Sequence, residues 1–321
     1  MSRKRSNITL PTHLALDFLF VTEQAAIAAS RWIGRGDGKA ADKAAVDAMR
    51  TAFNKVDFSG EVVIGEGEKD EAPELFVGEK LGTGRGFPID IAVDPLECTD
   101  SVAYGRPNAL AVIATGPRGS IYKAFDGYME KIAVGPAARN VIELDMPVRT
   151  VVRKVARALG KDAKEVTVAV LDRARHEKLI QEIREAGARV RLFTDGDVAM
   201  ALAACLPESP IDMLMGIGGS TEAVLAAAAL QCMGGELICR WKPTDKRQTE
   251  ALQALGNREA KKIFSAKDLI KSDEVTFTAT GVIDGPLANG VVFEESAVIT
   301  HSVVMSSKPR MVRFIKTKHA A

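Results

Sequence analysis

The chain of 321 residues is long enough for one large domain or two closely packed ones with a substantial core. A net charge of +1 and an aromatic content of 5% disfavour a nucleic-acid-binding surface of basic patches and base-stacking rings. Four scattered cysteines without a CxxC pair, no apolar run of membrane length and no signal-peptide core predict a soluble, cytoplasmic protein with reduced thiols.

Two amphipathic helices are predicted near the start of the chain. Apolar residues recur at helical spacing over residues 14–33, and a second helix is expected over residues 39–56. One turn before the apolar stripe of the second helix lies Asp42. An acid in line with a buried face either complements the helix dipole in the first turn or serves as a ligand, and both interpretations stay open on local grounds.

An acid-rich stretch follows the short strand predicted over residues 61–64. If the chain stays extended there, Glu66, Glu68 and Asp70 share one face. A solvated acidic loop is the usual interpretation of such a charge run. Here the run directly follows a buried strand, and its glycines would let the backbone approach a ligand closely. We therefore expect a metal-binding edge.

The apolar run over residues 89–93 predicts a buried strand that Asp94-Pro95 ends. A second carboxylate follows at Glu97 and a hydroxyl at Thr99. Both carboxylates can reach one hard cation, while backbone N–H groups just beyond them point at an anion. This stretch is the centre around which the remaining predicted site residues are arranged.

The remaining elements predict an α/β fold with two sheets. The first half supplies helices and a mostly antiparallel sheet, and strands alternate with helices over residues 166–241, which predicts a mixed, largely parallel second sheet. Three later antiparallel strands, within residues 275–317, are expected to close the second sheet. The predicted division is residues 1–145 as a metal-binding phosphatase domain and residues 146–321 as a sugar-phosphate-binding α/β domain.

Polar residues follow three successive strands of the second sheet, where ligands of such sheets bind. These residues are Arg173 and Arg175, then Asp195 and Asp197, then the segment 216–222 of sequence GIGGSTE. That segment opens a helix after a strand, so it suits an anion. A tight glycine turn with Ser220 as N-cap explains it equally well.

The candidate metal ligands are all carboxylates, which select magnesium or manganese. Four histidines, none in ligand spacing, make an imidazole site improbable. Two divalent ions held by such acids would clamp a phosphate, and Thr99 is placed to orient or deprotonate the attacking water. The set consists of Asp42, Glu66, Asp94, Glu97 and Glu222.

At this point the sequence resembles the class II fructose-1,6-bisphosphatases, a branch of the lithium-sensitive sugar and inositol phosphatase superfamily. The resemblance covers nearly the whole chain in ordered blocks. The blocks include Gly34-Arg-Gly-Asp37, Ile64-Gly-Glu-Gly-Glu68, Val93-Asp-Pro-Leu-Glu97, Asn108-Ala-Leu-Ala-Val112, Tyr128-Met-Glu-Lys131, Arg175-His176, Asp195-Gly-Asp197, Gly216-Ile-Gly-Gly219 and Thr278-Ala-Thr-Gly281.

The resemblance implies hydrolysis of the 1-phosphate of fructose 1,6-bisphosphate in gluconeogenesis, with Mn²⁺ or Mg²⁺. It also implies a layered α/β/α/β/α fold, assembled as a homodimer or homotetramer. Asp42 and Glu66 would hold one metal, and Asp94, Glu97 and Glu222 another. Glu68 and Asp70 would support catalysis by Thr99. The substrate would be bound by Cys98, Thr99, Tyr128, Arg173, Arg175, Asp195, Asp197 and Gly219.

The chain departs from the family pattern at three places. Cys98 replaces the glycine of Glu-Gly-Thr, Arg173-Ala replaces Lys-Pro, and Ser220-Thr replaces Ala-Pro. A side chain at Cys98 could strain the turn or crowd the substrate. Cys98 is not expected to be a nucleophile, because a cysteine-dependent phosphatase would want an arginine a few residues on and Arg106 is poorly placed for that.

Other functions remain open at this stage. Ser101-Val-Ala-Tyr-Gly105 resembles bifunctional fructose/sedoheptulose bisphosphatases, so sedoheptulose 1,7-bisphosphate is an alternative substrate, and an inositol phosphate is another. A function from a different class is that of a catalytically weak, metabolite-binding regulatory homologue. Metal-dependent phosphate release would distinguish an enzyme from such a binding protein.

Overall fold

The computed structural model describes residues 14–65 and 75–320. The α-helices are α1 (Leu14–Ser30), α2 (Gly38–Phe53), α3 (Thr99–Tyr104), α4 (Val148–Leu159), α5 (Glu177–Glu185), α6 (Asp197–Ala203), α7 (Ser220–Met233), α8 (Lys246–Ala254), α9 (Asn257–Ala260) and α10 (Ala266–Leu269). The strands are β1 (Ser59–Ile64), β2 (Lys80–Leu81), β3 (Pro88–Glu97), β4 (Ala109–Pro117), β5 (Tyr128–Val134), β6 (Thr167–Leu171), β7 (Arg189–Phe193), β8 (Met213–Gly219), β9 (Glu236–Trp241), β10 (Phe264–Ser265), β11 (Thr276–Ile283), β12 (Val292–Glu294), β13 (Ala297–Ser307) and β14 (Arg310–Ala320). Short 3-10 helices cover Pro136–Ala138, Ala163–Glu165 and Ala174–His176.

The first sheet has eight strands in the order β12-β13-β11-β4-β3-β1-β2, with β14 also paired to β13. Its pairs are antiparallel except for β1 and β3, which run parallel. The C-terminal strands β11, β13 and β14 therefore belong to this sheet, and the expectation that they close the second sheet was wrong. Alternation identifies a half-buried strand but does not specify its partner.

The second sheet has six strands in the order β10-β9-β5-β8-β6-β7. β6 runs parallel to both β7 and β8, as its strand–helix alternation predicts. β5 comes from the first half of the chain and lies antiparallel between β8 and β9. This insertion makes the sheet mixed, and it brings the first residue of β5, Tyr128, opposite Gly219 at the end of β8.

Five layers stack in the order α/β/α/β/α, which confirms the predicted fold class. α1 and α2 share one apolar cluster with the first sheet, and α4 and α5 share another with the outer face of the second sheet. The inner faces of both sheets pack on α6 and α7. Every residue from Ala223 to Leu230 of α7 is buried, because a helix between two sheets has no solvent face.

The first two helices agree with their predicted periodicity, and their ends differ by up to three residues. Phe18, Phe53 and Phe58 meet edge-to-face under the first sheet, with ring centroids 5.3–5.9 Å apart. The Asp37 side chain caps α2 by accepting a hydrogen bond from the Ala40 N–H at 2.9 Å. This cap fixes the start of the helix that carries Asp42.

β3 continues past Asp94-Pro95 to Glu97, so the prediction that this dipeptide ends the strand was wrong. The proline is tolerated because β1 pairs with β3 only as far as Ala92, and the pairing with β4 shifts register between Asp94 and Glu97. In a regular strand, residues three apart would point to opposite faces. The bulge removes this alternation, so the carboxylates of Asp94 and Glu97 can face one cavity.

None of the helices in the described ranges is long and apolar enough to cross a membrane. The division into residues 1–145 and 146–321 stays a prediction about how the two halves contribute to function. Strands from each half join the sheet of the other, as β5 and β11 illustrate.

Candidate active site

A cavity of about 310 Å³ lies where the end of β3, the start of α6 and the junction of β8 and α7 meet. It is lined by every predicted metal or substrate residue of the described chain except Asp42: Asp94, Glu97, Cys98, Thr99, Tyr128, Arg173, Arg175, Asp195, Asp197, Gly219 and Glu222. Asp42 lines an adjoining cavity of about 1370 Å³ together with Asp94, Thr99 and Glu222. Glu66, Glu68 and Asp70 lie outside the described residues.

The bulged end of β3 holds its two acids through backbone contacts. Asp94 Oδ1 accepts a hydrogen bond from the Leu96 N–H at 3.0 Å, and Glu97 Oε1 accepts one from the Val198 N–H at 3.2 Å. The second contact ties the end of β3 to the first turn of α6, 101 residues further along the chain. Both acids are buried. The second oxygen of Glu97, Oε2, is buried and accepts no hydrogen bond from residues 14–65 or 75–320.

Burial and the charges of neighbouring acids raise the pKa values of Glu97 and Glu222. The pKa of Glu97 lies well above its ordinary value because the carboxyl group is desolvated and because Asp94, Asp197 and Glu222 are near. Burial and the charge of Asp197 raise the pKa of Glu222 to about 7. The Glu222 Oε2 atom is also buried, with no hydrogen-bond partner among the described residues.

These acids fit a divalent cation by the chemistry of their donors. Two buried carboxylate oxygens, Glu97 Oε2 and Glu222 Oε2, lack the hydrogen bonds that buried polar atoms normally make. A hard cation would satisfy both, and binding it would draw the protons from these carboxyls. Within residues 14–65 and 75–320, no group of three or more Asp, Glu, His or Cys side chains is arranged so that it could hold a metal ion by itself. The predicted ligand Glu66 lies outside that range.

Glycines at the end of β8 leave room for side chains of the site. Gly216 to Gly219 pair with β5 as regular strand residues, so they do not form a tight glycine turn. A Cβ atom on Gly218 would overlap Asp197 Oδ2, and one on Gly219 would overlap Glu222 Oε2. The glycines therefore admit two carboxylates close to the backbone.

Gly219 is the N-cap of α7, so the interpretation of Ser220 as N-cap was wrong. Ser220 Oγ instead donates a hydrogen bond to the Phe125 carbonyl at 2.6 Å and accepts one from the Gly127 N–H at 3.2 Å. Ser220 thereby fixes the segment before β5 against the start of α7. Glu222 lies in the first turn of α7, as predicted.

Two exposed arginines line the cavity together with the acids. The Arg175 guanidinium lies 5.0 Å from the centroid of the Tyr128 ring and donates to the Ile217 carbonyl at 2.8 Å. Arg173 donates to the carbonyl of its neighbour Asp172 at 3.0 Å. Both side chains remain exposed and able to meet an anion. The cavity lining thus combines buried acids with two exposed cations.

Lys131 is a residue of this site that the sequence interpretation did not assign. Its Nζ atom donates to Asp197 Oδ2 at 2.6 Å and to the Gly219 carbonyl at 2.9 Å. Burial would lower the pKa of Lys131, but the charges of Asp197 and Glu222 and the hydrogen bond to Asp197 outweigh it and raise the pKa. The sequence does contain an indication that Lys131 is buried. Met129, Lys131 and Ala133 share one face of the strand, and the other two residues are apolar.

Asn108 is a second unassigned residue at this site, and it joins the two halves of the chain. Its Nδ2 atom donates to the carbonyls of Asp195 and Gly196 at 2.9 and 3.2 Å. The backbone of Asn108 has a φ of 74°, in the left-handed region that asparagine tolerates better than most residues. Nothing local in the sequence indicates this contact, since the partners lie 87 and 88 residues away.

Cys98 occupies a backbone conformation that suits glycine. Its φ of 72° and ψ of 51° are left-handed, which costs an L-residue about 1 kcal/mol or more. Burial, followed by the charges of Glu97 and Asp195, raises the pKa of the thiol well above its ordinary value. A thiol that stays protonated is a poor nucleophile, which agrees with the expectation from sequence.

His176 is a buried residue that connects two strands of the second sheet. Its Nε2 atom accepts a hydrogen bond from the Ile217 N–H at 2.7 Å, so Nδ1 carries the proton and donates to the Leu171 carbonyl at 2.8 Å. These two bonds connect the ends of β6 and β8. They hold the segment that carries Arg173 and Arg175 against the site.

We expect replacement of His176 by glutamine to weaken the dependence of stability on pH. Burial, with the charges of Arg175 and Arg173, lowers the pKa of His176 in the folded protein. The unfolded chain therefore takes up the proton first, so this stabilisation is present above about pH 6.5 and is lost as the pH falls towards the lower folded pKa. Thermal unfolding midpoints at pH 7 and pH 5 measure the effect.

The wild-type midpoint should fall more between these pH values than that of His176→Gln. The bond to the Ile217 N–H is worth about 1–3 kcal/mol if its loss leaves a buried donor unpaired. His301→Gln is the matched control, because His301 is less buried, and it should keep the wild-type difference. An unchanged difference in His176→Gln would contradict the assignment of a neutral His176.

Comparisons with known proteins agree with this geometry. The sequence model of the family described as "Bacterial fructose-1,6-bisphosphatase, glpX-encoded" matches residues 12–319. The chain is 43% identical over 318 residues to the fructose-1,6-bisphosphatase 1 class 2 of Escherichia coli K12, covering 95% of both chains. Class 2 fructose-1,6-bisphosphatases of Escherichia coli O6:H1 and Shigella flexneri match to the same extent. With the match spanning nearly its whole length, the chain belongs to the glpX-encoded bacterial fructose-1,6-bisphosphatase family.

Proposed function

We propose that the protein is a metal-dependent phosphatase that hydrolyses the 1-phosphate of fructose 1,6-bisphosphate to give fructose 6-phosphate in gluconeogenesis. The observation that carries this proposal is the lining of one cavity, which combines buried acids with the exposed guanidinium groups of Arg173 and Arg175. A molecule with two phosphates on a hydroxylated chain matches both kinds of group, because the acids can hold metal ions for one phosphate and the arginines can bind the other. The volume of about 310 Å³ is at the lower limit for small-molecule sites.

The carboxylates of the site would bind the metals and, through them, the phosphate that reacts. Asp94, Glu97 and Glu222 would hold one Mn²⁺ or Mg²⁺, and Asp42 with Glu66 would hold the other. The unpartnered oxygens of Glu97 and Glu222 support this assignment. When bound, divalent cations neutralise phosphoryl charge and make the attacking water more acidic.

Thr99 would position the attacking water. Its hydroxyl donates to the Leu96 carbonyl at 3.2 Å, which leaves the lone pairs of Oγ1 available to accept a hydrogen bond from the attacking water. Thr99 also lines both cavities, so it borders the acids and the substrate space. Glu68 and Asp70 would assist from the segment outside the described residues.

A second group of lining residues would bind the sugar and its distal phosphate. Arg173 and Arg175 carry the charge for the phosphate, and Tyr128 positions Arg175 by contact with its ring. Asp195 and Asp197 would accept hydrogen bonds from sugar hydroxyls, and Gly219 would let the sugar approach the backbone. This arrangement would direct the 1-phosphate to the metals by fixing the other end.

Phosphate release from fructose 1,6-bisphosphate in the presence of Mn²⁺ tests the proposal. Parallel reactions contain chelator, sedoheptulose 1,7-bisphosphate or inositol 1-phosphate. Metal-dependent release from the fructose substrate, abolished by chelator, is the expected result. A higher kcat/KM for the sedoheptulose substrate would change the assigned substrate. No release from any of the three by folded, metal-loaded protein would leave a metabolite-binding homologue.

Replacement of Cys98 by glycine is expected to raise the rate of phosphate release. Glycine adopts the left-handed conformation without penalty, and it removes a side chain that lines the cavity. Relief of about 1 kcal/mol in the transition state would correspond to a roughly fivefold higher rate. Cys205→Ser, which removes a thiol away from the cavity, is the control and should keep the wild-type rate. An unchanged rate in Cys98→Gly would exclude a hindering role for the side chain.

We also propose a cytoplasmic location and a homodimeric or homotetrameric assembly, both of which the resemblance implies. Reduced cysteines support the location, because the four thiols are unpaired in the structure. Membership of the lithium-sensitive superfamily is part of the same proposal. Inhibition of phosphate release by Li⁺ tests it, and light scattering measures the assembly.

A further inference from the structure

Lys131 is a buried cation in the middle layer of the fold. It lies on the face of β5 that also carries Met129 and Ala133, and only 2% of its surface is exposed. A charged side chain is stable in such a place only if it is paired and hydrogen-bonded. Its position therefore requires a specific partner.

The partner is one particular acid of the site. Lys131 Nζ lies 2.6 Å from Asp197 Oδ2 and 2.9 Å from the Gly219 carbonyl oxygen. Glu97 and Glu222 form no ion pair within the described part of the chain, and each has a buried carboxylate oxygen without a hydrogen bond. Of Asp197, Glu97 and Glu222, only Asp197 forms an ion pair with Lys131 in the described part of the chain, and the charge of Lys131 acts on Glu222 without a direct contact.

The backbone around this ion pair leaves space for it. A Cβ atom on Gly218 would overlap Asp197 Oδ2 and lie 3.1 Å from Lys131 Nζ. The bond from Lys131 to the Gly219 carbonyl reaches the N-cap of α7, the helix that carries Glu222 three residues later. The ion pair of Lys131 and Asp197 therefore contacts the start of α7, the helix that positions Glu222.

We propose that Lys131 is a positioning residue that determines which carboxylates of this cavity bind metal. By neutralising Asp197, it withholds this acid from divalent cations and keeps it oriented as an acceptor for a sugar hydroxyl. Glu97 and Glu222, which form no ion pair within residues 14–65 and 75–320, remain for the metal. The part about the sugar depends on the proposed function, whereas the part about the metal does not.

Calorimetric titration with Mn²⁺ of the metal-free full chain and its variants tests the division of the acids. Lys131→Met leaves Asp197 as an uncompensated acid, so the apparent affinity for Mn²⁺ should rise by about tenfold or more. Asp197→Asn should change the affinity in the opposite direction, because the unpaired ammonium then repels the cation. The double variant Lys131→Met with Asp197→Asn removes both charges and should return to the wild-type affinity.

Lys161→Met is the matched control. Lys161 Nζ lies 2.6 Å from Asp212 Oδ1, and Asp212 is nearly as buried as Asp197, but neither residue lines the cavity. This variant should bind Mn²⁺ as the wild type does. If Lys131→Met does not fold, two other results still test the proposal: the weaker Mn²⁺ binding expected for Asp197→Asn, and the wild-type Mn²⁺ affinity expected for the double variant.

Steady-state kinetics on fructose 1,6-bisphosphate test the part that concerns the sugar. Lys131→Met should raise KM by about tenfold or more, with a smaller change in kcat, because a hydrogen-bond acceptor for the substrate is misplaced. A folded Lys131→Met protein with wild-type Mn²⁺ affinity and wild-type KM would overturn the proposal and leave Lys131 as a packing residue. Phosphatase inactivity of the wild type, with the predicted Mn²⁺ shifts intact, would instead contradict only the proposed function.

Discussion

Replacement of Glu97 by glutamine is expected to lower Mn²⁺-dependent phosphate release from fructose 1,6-bisphosphate by more than about 100-fold. Glutamine has the same shape and can still accept the hydrogen bond from the Val198 N–H. The change therefore removes the anionic charge that Glu97 offers through its unpartnered Oε2 atom and leaves the connection between β3 and α6 in place. Initial rates at saturating Mn²⁺ measure the effect.

The metal-free Glu97→Gln protein should unfold at the same temperature as the wild type or higher. Burial and the nearby acids Asp94, Asp197 and Glu222 disfavour the charged form of Glu97 in the absence of metal, and glutamine cannot take that charge. Glu208→Gln, a neutral substitution of an exposed glutamate, is the control and should keep both rate and midpoint. A rate for Glu97→Gln within tenfold of the wild type would show that Glu97 is not a metal ligand.

Replacement of Gly219 by alanine is expected to weaken Mn²⁺ binding by about 10–100-fold. The backbone φ of −66° suits alanine, so the change introduces no conformational strain. The new Cβ atom would lie 2.8 Å from Glu222 Cδ and overlap its Oε2 atom, which forces the carboxylate away. Calorimetric titration with Mn²⁺ measures the loss directly, and raising the Mn²⁺ concentration should restore part of the activity.

Gly60→Ala is the matched control for steric crowding without a metal ligand. Its Cβ atom would lie 2.6 Å from Ile91 Cδ1 and overlap the Phe58 ring in the core below the first sheet. We expect a lower unfolding temperature for this variant with unchanged Mn²⁺ affinity. If Gly219→Ala binds Mn²⁺ as tightly as the wild type, Glu222 does not depend on this glycine for its position.

The candidate site was predictable where chemistry and position along the chain coincide. Arg173 and Arg175 follow one strand of the second sheet, and Asp195 and Asp197 follow the next. Strand ends of a sheet with parallel neighbours meet at one edge, so these two pairs were expected to lie close together, and all four residues line the cavity. Asp94, Glu97 and Thr99 come from the first half of the chain, and their place beside these pairs was implied only by the family resemblance.

Lys131 was not assigned because its role depends on a partner 66 residues away in the chain. A lysine on an apolar strand face indicates a buried charge, but the sequence does not specify which acid neutralises it. The contact of Asn108 is harder still to predict from the sequence, because its partners are backbone carbonyls, which every residue carries. The left-handed conformation of Cys98 was anticipated only through the family glycine at that position.

The sequence by itself determined the local and chemical features of this protein. Periodicity placed α1 and α2, strand–helix alternation placed β6 to β8, and the carboxylate-only donor set indicated a hard cation. The tertiary structure alone decided the pairing of β11 with β4, the insertion of β5 and the bulge that turns Asp94 and Glu97 to one cavity. The physical reason is that periodicity records which face of an element is buried, whereas register and partner choice depend on packing between segments far apart in the chain.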